Sequence, residues 1–522
     1  MRFARQDRLF TKSSARVVPI LVAALSFAGC ATSSISIPSP ASQPASGPDA
    51  RVGLQGGYQD AQEAVWNLEM ISHEARPPTF SNPDDPADFN FANTDLAFRG
   101  DHVFIGSYNG LQIYNISDPI APRLRTAFVC PGGQGDVSIH GDLLFMSVEE
   151  QRGRVNCAAD SVGGAGQRFQ GVRIFDVSNL DEPRQVGAVQ TCRGSHTHTL
   201  VTDPDDLENV YVYVSGTGQV RSETEMPGCL AGHWTEDPNT AYWRIEVIQV
   251  PIGAPEEAQI VSTPRIFADS TTGAIGGLWE GGTHGPGTQE TAQTNSCHDI
   301  TVFPEIELGA GACSGNGILL DISDPVNPVR IAEVTDPNFA YWHSATFNKD
   351  GTKVIFTDEW GGGAAPRCRA TDPETWGANA IFDIVDRELR FASYYKLPAP
   401  QSALENCVAH NGSLIPVPGR DIMVQAWYQG GISVFDFTDS ASPFEIAYFD
   451  RGPLDPDRPT LAGYWSAYWY NGAIYGTEIA RGLDVFRLTP SESLSGGAIE
   501  AAEQVEIDSL NPQLQTRASG GR

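Results

Sequence analysis

The 522-residue chain is short of basic side chains: 34 lysines and arginines stand against 64 aspartates and glutamates, for a formal charge of −30. Nucleic acid requires a basic footprint, so that class of partner is excluded. Electrostatic adhesion to anionic lipid is excluded for the same reason. Metal cations and basic partners remain compatible with the charge. No G-x-S-x-G elbow, H-E-x-x-H pair, phosphate-cradling glycine loop or D-x-[DN]-x-[DN]-G calcium loop occurs. Serine-hydrolase, zincin, NTPase and EF-hand chemistry therefore have no linear motif behind them. C-x-x-C is also missing, which removes zinc-ribbon and thioredoxin-type readings. Past residue 30 there is no long apolar run, and the body is expected to be soluble.

The one short apolar run lies near the start, at residues 17–27, behind Arg2, Arg5, Arg8, Lys12 and Arg16. It ends in Phe27-Ala28-Gly29-Cys30. This arrangement resembles a bacterial lipoprotein signal, with an ordinary signal peptide as the alternative. The resemblance implies a signal peptide at 1–29 and lipidation of Cys30. Ala31 in place of an aspartate implies passage to the outer membrane, facing either the periplasm or the medium. Residues 30–52 are rich in Ser, Pro and Ala and read as a tether. The main body is expected over 53–490. Residues 491–522 read as a polar tail, expected to fray.

Eight cysteines remain: Cys130, Cys157, Cys192, Cys229, Cys297, Cys313, Cys368 and Cys407. An even number in an exported chain favours disulfides. Pairing neighbour with neighbour would staple one loop each: Cys130–Cys157, Cys192–Cys229, Cys297–Cys313 and Cys368–Cys407.

One phrase recurs along the chain. It reads Gly110-Leu111-Gln112-Ile113-Tyr114-Asn115-Ile116-Ser117-Asp118-Pro119, and close copies begin at Gly171, Ile318 and Gly431, with a truncated copy at Gly482. Each copy is a buried strand closed by a polar turn, since short polar side chains cap turns and proline cannot donate to a ladder. A hairpin precedes each copy and another strand follows it. The pattern predicts an all-β chain of four-stranded antiparallel units, and such repeats arranged radially form a β-propeller. About seven blades are expected, starting near Asp95, Asp136, His198, His298, His343, His410 and Trp465, with an N-terminal strand near residues 65–71 closing the last blade. The phrase resembles the LVIVD-repeat family, whose bacterial members are β-propellers. That resemblance implies a scaffold and no particular reaction.

Four histidines open first strands: His198, His298, His343 and His410. In a propeller the first strands line the channel, so these imidazoles are expected to ring one mouth and offer a site for a transition-metal ion. His196 and Asp136 stand near the same phase and could join them. The competing reading is a polar ring that satisfies backbone groups. A second polar set follows the second strands: Glu149-Glu150, Asp358-Glu359-Trp360, Trp427-Tyr428-Gln429 and Glu478. These are expected at the opposite end of the channel, out of reach of the histidines. Aromatic residues crowd the late blades, and most are expected to pack between them. Inserts at 151–170, 219–242, 267–295 and 361–379 are the expected places for partner specificity.

Taken together, these features predict a lipid-anchored cell-envelope propeller. It would act as a binding scaffold for an envelope protein or glycan through its inserted loops, touching the membrane through its lipid anchor only. The alternative is a metal-dependent enzyme, an oxidase or hydrolase, using the channel histidines. A structural envelope protein with a water-filled channel is the third reading.

Overall fold

The computed structural model describes residues 48–150, 153–158 and 167–517. The signal segment and Cys30 lie outside the described residues. The fold is a β-propeller, built from four-stranded antiparallel meanders. Their first strands are Asn93–Arg99, Val137–His140, Thr199–Asp203, Asp299–Phe303, Trp342–Phe347, Asn411–Ile415 and Tyr464–Tyr470. We number the blades 1 to 7 in that order.

The blades close on a common axis. First strands of neighbouring blades touch, and the last touches the first through Ser466 Oγ donating to Asp95 Oδ1 at 2.7 Å. Hydrogen bonds tie the inner strands laterally, as in Thr94 to the carbonyl of Gln134 and Thr301 to that of Ala345. The apolar core sits between blades. Leu96, Phe98 and Val103 of blade 1 pack with Tyr468, Tyr475 and Val485 of blade 7, and Phe303, Leu308 and Leu319 of blade 4 pack with Trp342, Phe347 and Phe356 of blade 5. Most of the late aromatics are spent in this way, as expected.

Glycine opens the repeated phrase for a steric reason. A Cβ on Gly171 would stand 2.0 Å from the carbonyl oxygen of Val189, and φ there is +146°. The third strand can meet the fourth so closely only without a side chain at that point.

The expected N-terminal closure is present, with shifted bounds. Glu63–Trp66 adds to the outer edge of blade 6, and Asn67, at φ +54°, turns the chain. Leu68–Ala75 then pairs with Gly482–Leu488 and completes blade 7. Order begins before residue 53. Arg51 is buried, bonded to Asp49 and Glu445, with its guanidinium 3.8 Å from the Tyr448 ring centroid.

The tail does not fray over its described part. Gly496–Glu503 is an α-helix capped by Ser495, with Ile499 and Ala502 buried. Ser509–Leu510 then pairs with the lower end of the first strand of blade 1. From there the chain crosses beneath the channel. Asn511 accepts from the N–H and donates to the carbonyl of Ile139, and Gln515 does the same with Phe347. A side-chain amide presents the same donor and acceptor as a peptide, so two polar residues grip two open strand ends. Polarity misled the reading because these polar groups bond to the scaffold. Beside the tail lies a cavity of about 380 Å³, lined among others by Ala345, Gly412, Tyr468 and Leu510.

Disulfides join Cys130–Cys157, Cys192–Cys229, Cys297–Cys313 and Cys368–Cys407, in the expected neighbour pairing.

Candidate functional site

Each first strand enters at one end of the channel, and each second strand returns to that end. Residues just before or at the start of a first strand therefore share a level with those at the end of the second. In blade 5 the register pairs Trp342 with Asp358, and the Glu359 N–H donates to the carbonyl of Tyr341, so Glu359 stands at the same end as His343. The expectation that the carboxylates lie at the far end is thus wrong. A hairpin brings its two open ends together, and Glu149, Glu359 and Glu478 all stand at the imidazole end.

Three of the four predicted histidines converge. The His298 and His343 rings lie 3.8 Å apart between centroids, and His343 and His410 lie 4.4 Å apart. His343 Nε2 is 3.7 Å from Glu359 Oε2, and His410 Nε2 is 3.7 Å from Glu359 Oε1. These separations exceed a hydrogen bond. A tetrahedral metal with bonds of about 2.1 Å holds its donors roughly 3.4 Å apart. His343, Glu359 and His410 are all buried and close enough to share one ion, and His298, Asp299 and His343 form a second such group.

The surroundings orient these donors. His410 Nδ1 donates to the carbonyl of Trp465, which leaves the Nε2 lone pair facing Glu359. Tyr428 donates its hydroxyl to Glu359 Oε1 at 2.6 Å. Burial pushes His410 down to about 3. Burial and then the charges available on His298, His410 and His196 push His343 well below the ordinary histidine range. Burial raises Glu359, against the pull of His298 and the Tyr428 hydroxyl.

His198 is not part of the group. Its Nε2 lies 2.6 Å from Ser138 Oγ and its Nδ1 lies 2.8 Å from Ser147 Oγ, so both nitrogens are engaged between blades 2 and 3. Burial holds its pKa down at about 3. His196 takes its place, reaching His298 with Nε2 to Nε2 at 2.8 Å. Its Nδ1 meets Glu149 Oε2 at 2.6 Å. Burial opposes charge on His196, but Glu149 outweighs it and raises the pKa. Asp136 lies with His198, whose N–H it accepts, and not with the imidazole group. Glu478 is bound to Arg481 and the turn before it.

Glu359 and Tyr428 are the residues that sequence reasoning set at the wrong end of the channel, out of reach of the histidines. Their signal was their place directly after a second strand, once the hairpin is followed back to its open end. All four inserts leave from this same end: three follow second strands, and 267–295 joins a fourth strand to the next first strand. Of the insert at 151–170, only 153–158 and 167–170 are described. Two inserts bear on the site. Gln289 and the Gly377 N–H both donate to Asp358 Oδ2, the residue before Glu359. Burial raises Asp358 to about 7.

An LVIVD repeat is matched at residues 93–128, which is blade 1. No curated protein matches the sequence. Among solved structures, the periplasmic gluconolactonase of Pseudomonas aeruginosa is similar at 12% identity and a TM-score of 0.43, over 73% of this chain and 89% of that one. Hydrazine synthase of Kuenenia stuttgartiensis is similar at 11% identity and a TM-score of 0.44, over 74% and 93%. The Dos1 propeller is similar at 9% identity and a TM-score of 0.41, over 76% and 77%. Likeness this remote assigns no activity.

Proposed function

We propose that this protein is an exported, lipid-anchored β-propeller that binds a transition-metal ion at one mouth of its channel. The observation that carries the reading is the placement of His343 Nε2 and His410 Nε2, each 3.7 Å from an oxygen of Glu359. Two imidazoles and one carboxylate suit Zn²⁺ or Fe²⁺ and leave coordination positions open. The anchor is Cys30, and the four disulfides fit an oxidising compartment. The inserts that leave from this end make the mouth the place where an envelope protein or glycan is held. The open positions favour a second reading, in which the bound metal polarises a substrate and the propeller is a hydrolase or oxidase.

The test is elemental analysis of the purified chain, as isolated and after loading with Zn²⁺ or Fe²⁺. Near-stoichiometric metal, lost in H343A/H410A and weakened at least tenfold in E359Q, is the expected result. A wild-type chain that retains no transition metal after loading overturns it. So does retention of metal by the double variant.

A further inference from the structure

Beside the group of His343, His410 and Glu359 runs a chain of four side chains. Glu149 Oε2 meets His196 Nδ1 at 2.6 Å, His196 Nε2 meets His298 Nε2 at 2.8 Å, and His298 Nδ1 meets Asp299 Oδ1 at 3.0 Å. The protons along it can be counted. An ionised carboxylate only accepts, so His196 Nδ1 carries a proton toward Glu149. A neutral His196 then has a lone pair on Nε2, and the proton in the 2.8 Å contact belongs to His298 Nε2. That leaves His298 Nδ1 as a lone pair facing Asp299 Oδ1. Two acceptors 3.0 Å apart call for one positive charge, either a further proton on the chain or a metal ion. Metal bonds of about 2.1 Å that meet at a right angle hold their donors roughly 3.0 Å apart.

A second observation selects the ion. His298, Asp299 and His343 are 8%, 3% and 1% exposed and lie close enough to share one. The Nε2 of His343 is the nitrogen near Glu359. Its other nitrogen, Nδ1, is buried and has no hydrogen-bond partner. A buried polar atom left so is costly. A further proton between Glu149 and Asp299 would leave it unsatisfied, whereas an ion takes it as a donor. Charge points the same way. Among the described residues, no ion pair gives Glu149, Asp299 or Glu359 a lysine or arginine; their ion-pair contacts are histidines.

We propose that this mouth holds two ions, the second bound by His298 Nδ1, Asp299 and His343 Nδ1, with the His343 ring bridging it to the ion at His410 and Glu359. The inference rests on the metal reading above and adds an ion to it. To bridge, His343 gives its ring proton to solvent and becomes an imidazolate, as metal binding releases protons from its ligands. The imidazolate and the three carboxylates together balance two divalent ions. His196 and Glu149 are positioning residues, fixing which nitrogen His298 offers. Among divalent first-row metals, Cu²⁺ binds nitrogen and oxygen donors most tightly, which makes it the probe of choice.

The experiment loads the full purified chain with Cu²⁺ and removes unbound metal by gel filtration. Copper is then read by elemental analysis and by electron paramagnetic resonance at low temperature. The expected result is two Cu²⁺ per chain, with spins coupled through the bridge so that the integrated signal falls well short of two. In D299N one Cu²⁺ remains, and its signal integrates to one full spin. If D299N does not fold, H298Q gives the same reading. H410A/E359Q removes the other ion and also leaves one. A wild-type chain holding one Cu²⁺ overturns this inference and leaves the single-ion reading standing; a chain holding none overturns both. Two ions with uncoupled spins overturn the bridge. Two ions retained in every folded variant are adventitious copper and overturn the second site.

Discussion

His298 and His343 face one another across two blades, ring centroids 3.8 Å apart and tilted by 36°. Each stands at the entry to a first strand, one in blade 4 and one in blade 5. Rotation about the channel axis is what turns distance along the chain into contact. The same operation brings His410 to His343 and, through the hairpin of blade 5, Glu359 to both. The Tyr428 hydroxyl then fixes one oxygen of Glu359 from blade 6.

That last bond gives a prediction for metal affinity. Tyr428→Phe removes only the hydroxyl and keeps the ring packed against His410, whose centroid is 4.4 Å away. Groups that orient a ligand are worth about 10- to 100-fold in metal affinity. Competition with a chromophoric chelator should show Y428F weakened by that factor with an unchanged thermal midpoint of the metal-free chain. Equal affinity in Y428F and wild type would mean that Glu359 needs no such support.

The seam of the ring predicts a pH dependence. His73 lies on the strand that closes blade 7, and its Nδ1 is 2.6 Å from Asp484 Oδ1. The hydrogen bond to Asp484 raises the His73 pKa above its ordinary 6.5, against burial. Burial would raise Asp484, but the bond from His73 and the charge of Arg451 leave it lowered. The His73 contribution is complete below pH 6.5 and is lost as pH rises through the raised value. The Asp484 contribution is present above the ordinary carboxylate range and is lost as pH falls through the depressed value. The His73 side chain is 40% exposed, so solvent screening keeps its share to less than about 1 kcal/mol. Thermal midpoints between pH 5 and 9 should fall more gently at the alkaline side in H73Q than in wild type. Parallel curves would show that the pair adds nothing to closure.

A third expectation concerns the tail. Asn511 is 5% exposed and makes two bonds to the backbone of Ile139. Removing them in N511A strands a buried donor and acceptor, at a cost of about 1–3 kcal/mol. Denaturant unfolding should register this as a lower midpoint. Ending the chain at residue 505 should cost more, since Leu510 and Leu514 leave apolar clusters as well. If the truncated chain unfolds at the wild-type midpoint, the strap is only resting on the scaffold.

Much of the ring was legible because its signals are local. Gly171 with its φ of +146°, the strand after it and the polar turn are all set by neighbours in sequence. The disulfides followed nearest-neighbour order because each spans one insert or one hairpin. His298, His343 and His410 were legible since each marks the entry of a first strand. His198 misled because two serines of blade 2 hold it between blades, and serine carries no pattern that announces such a contact. His196 lies in a bend before the strand, where the period-two rule does not apply. Glu359 was misplaced by an error of direction within a hairpin. Asn511 and Gln515 were invisible because their value lies in matching open strand ends far away in sequence.

The site also depends on a disulfide. Cys368 lies in the insert at 361–379, and Cys407 lies three residues before His410, so their bridge ties the insert to the entry of blade 6. The insert packs on the site as well: Asn406 donates to the carbonyl of Gly363, and a Cβ on Gly363 would meet the Tyr428 ring at 2.5 Å. The bridge closes a sequence separation of 39 residues, worth about 4 kcal/mol in the chain-entropy account. In C368S/C407S, unfolding should therefore move to lower denaturant, and metal affinity should fall because Tyr428 loses the backbone packed on its ring. C192S/C229S removes a bridge of similar span, 37 residues, from the insert of blade 3. It should lose similar stability but keep its metal affinity. Equal affinity losses in the two pairs would show that general loosening, and not the bridge beside His410, governs the site.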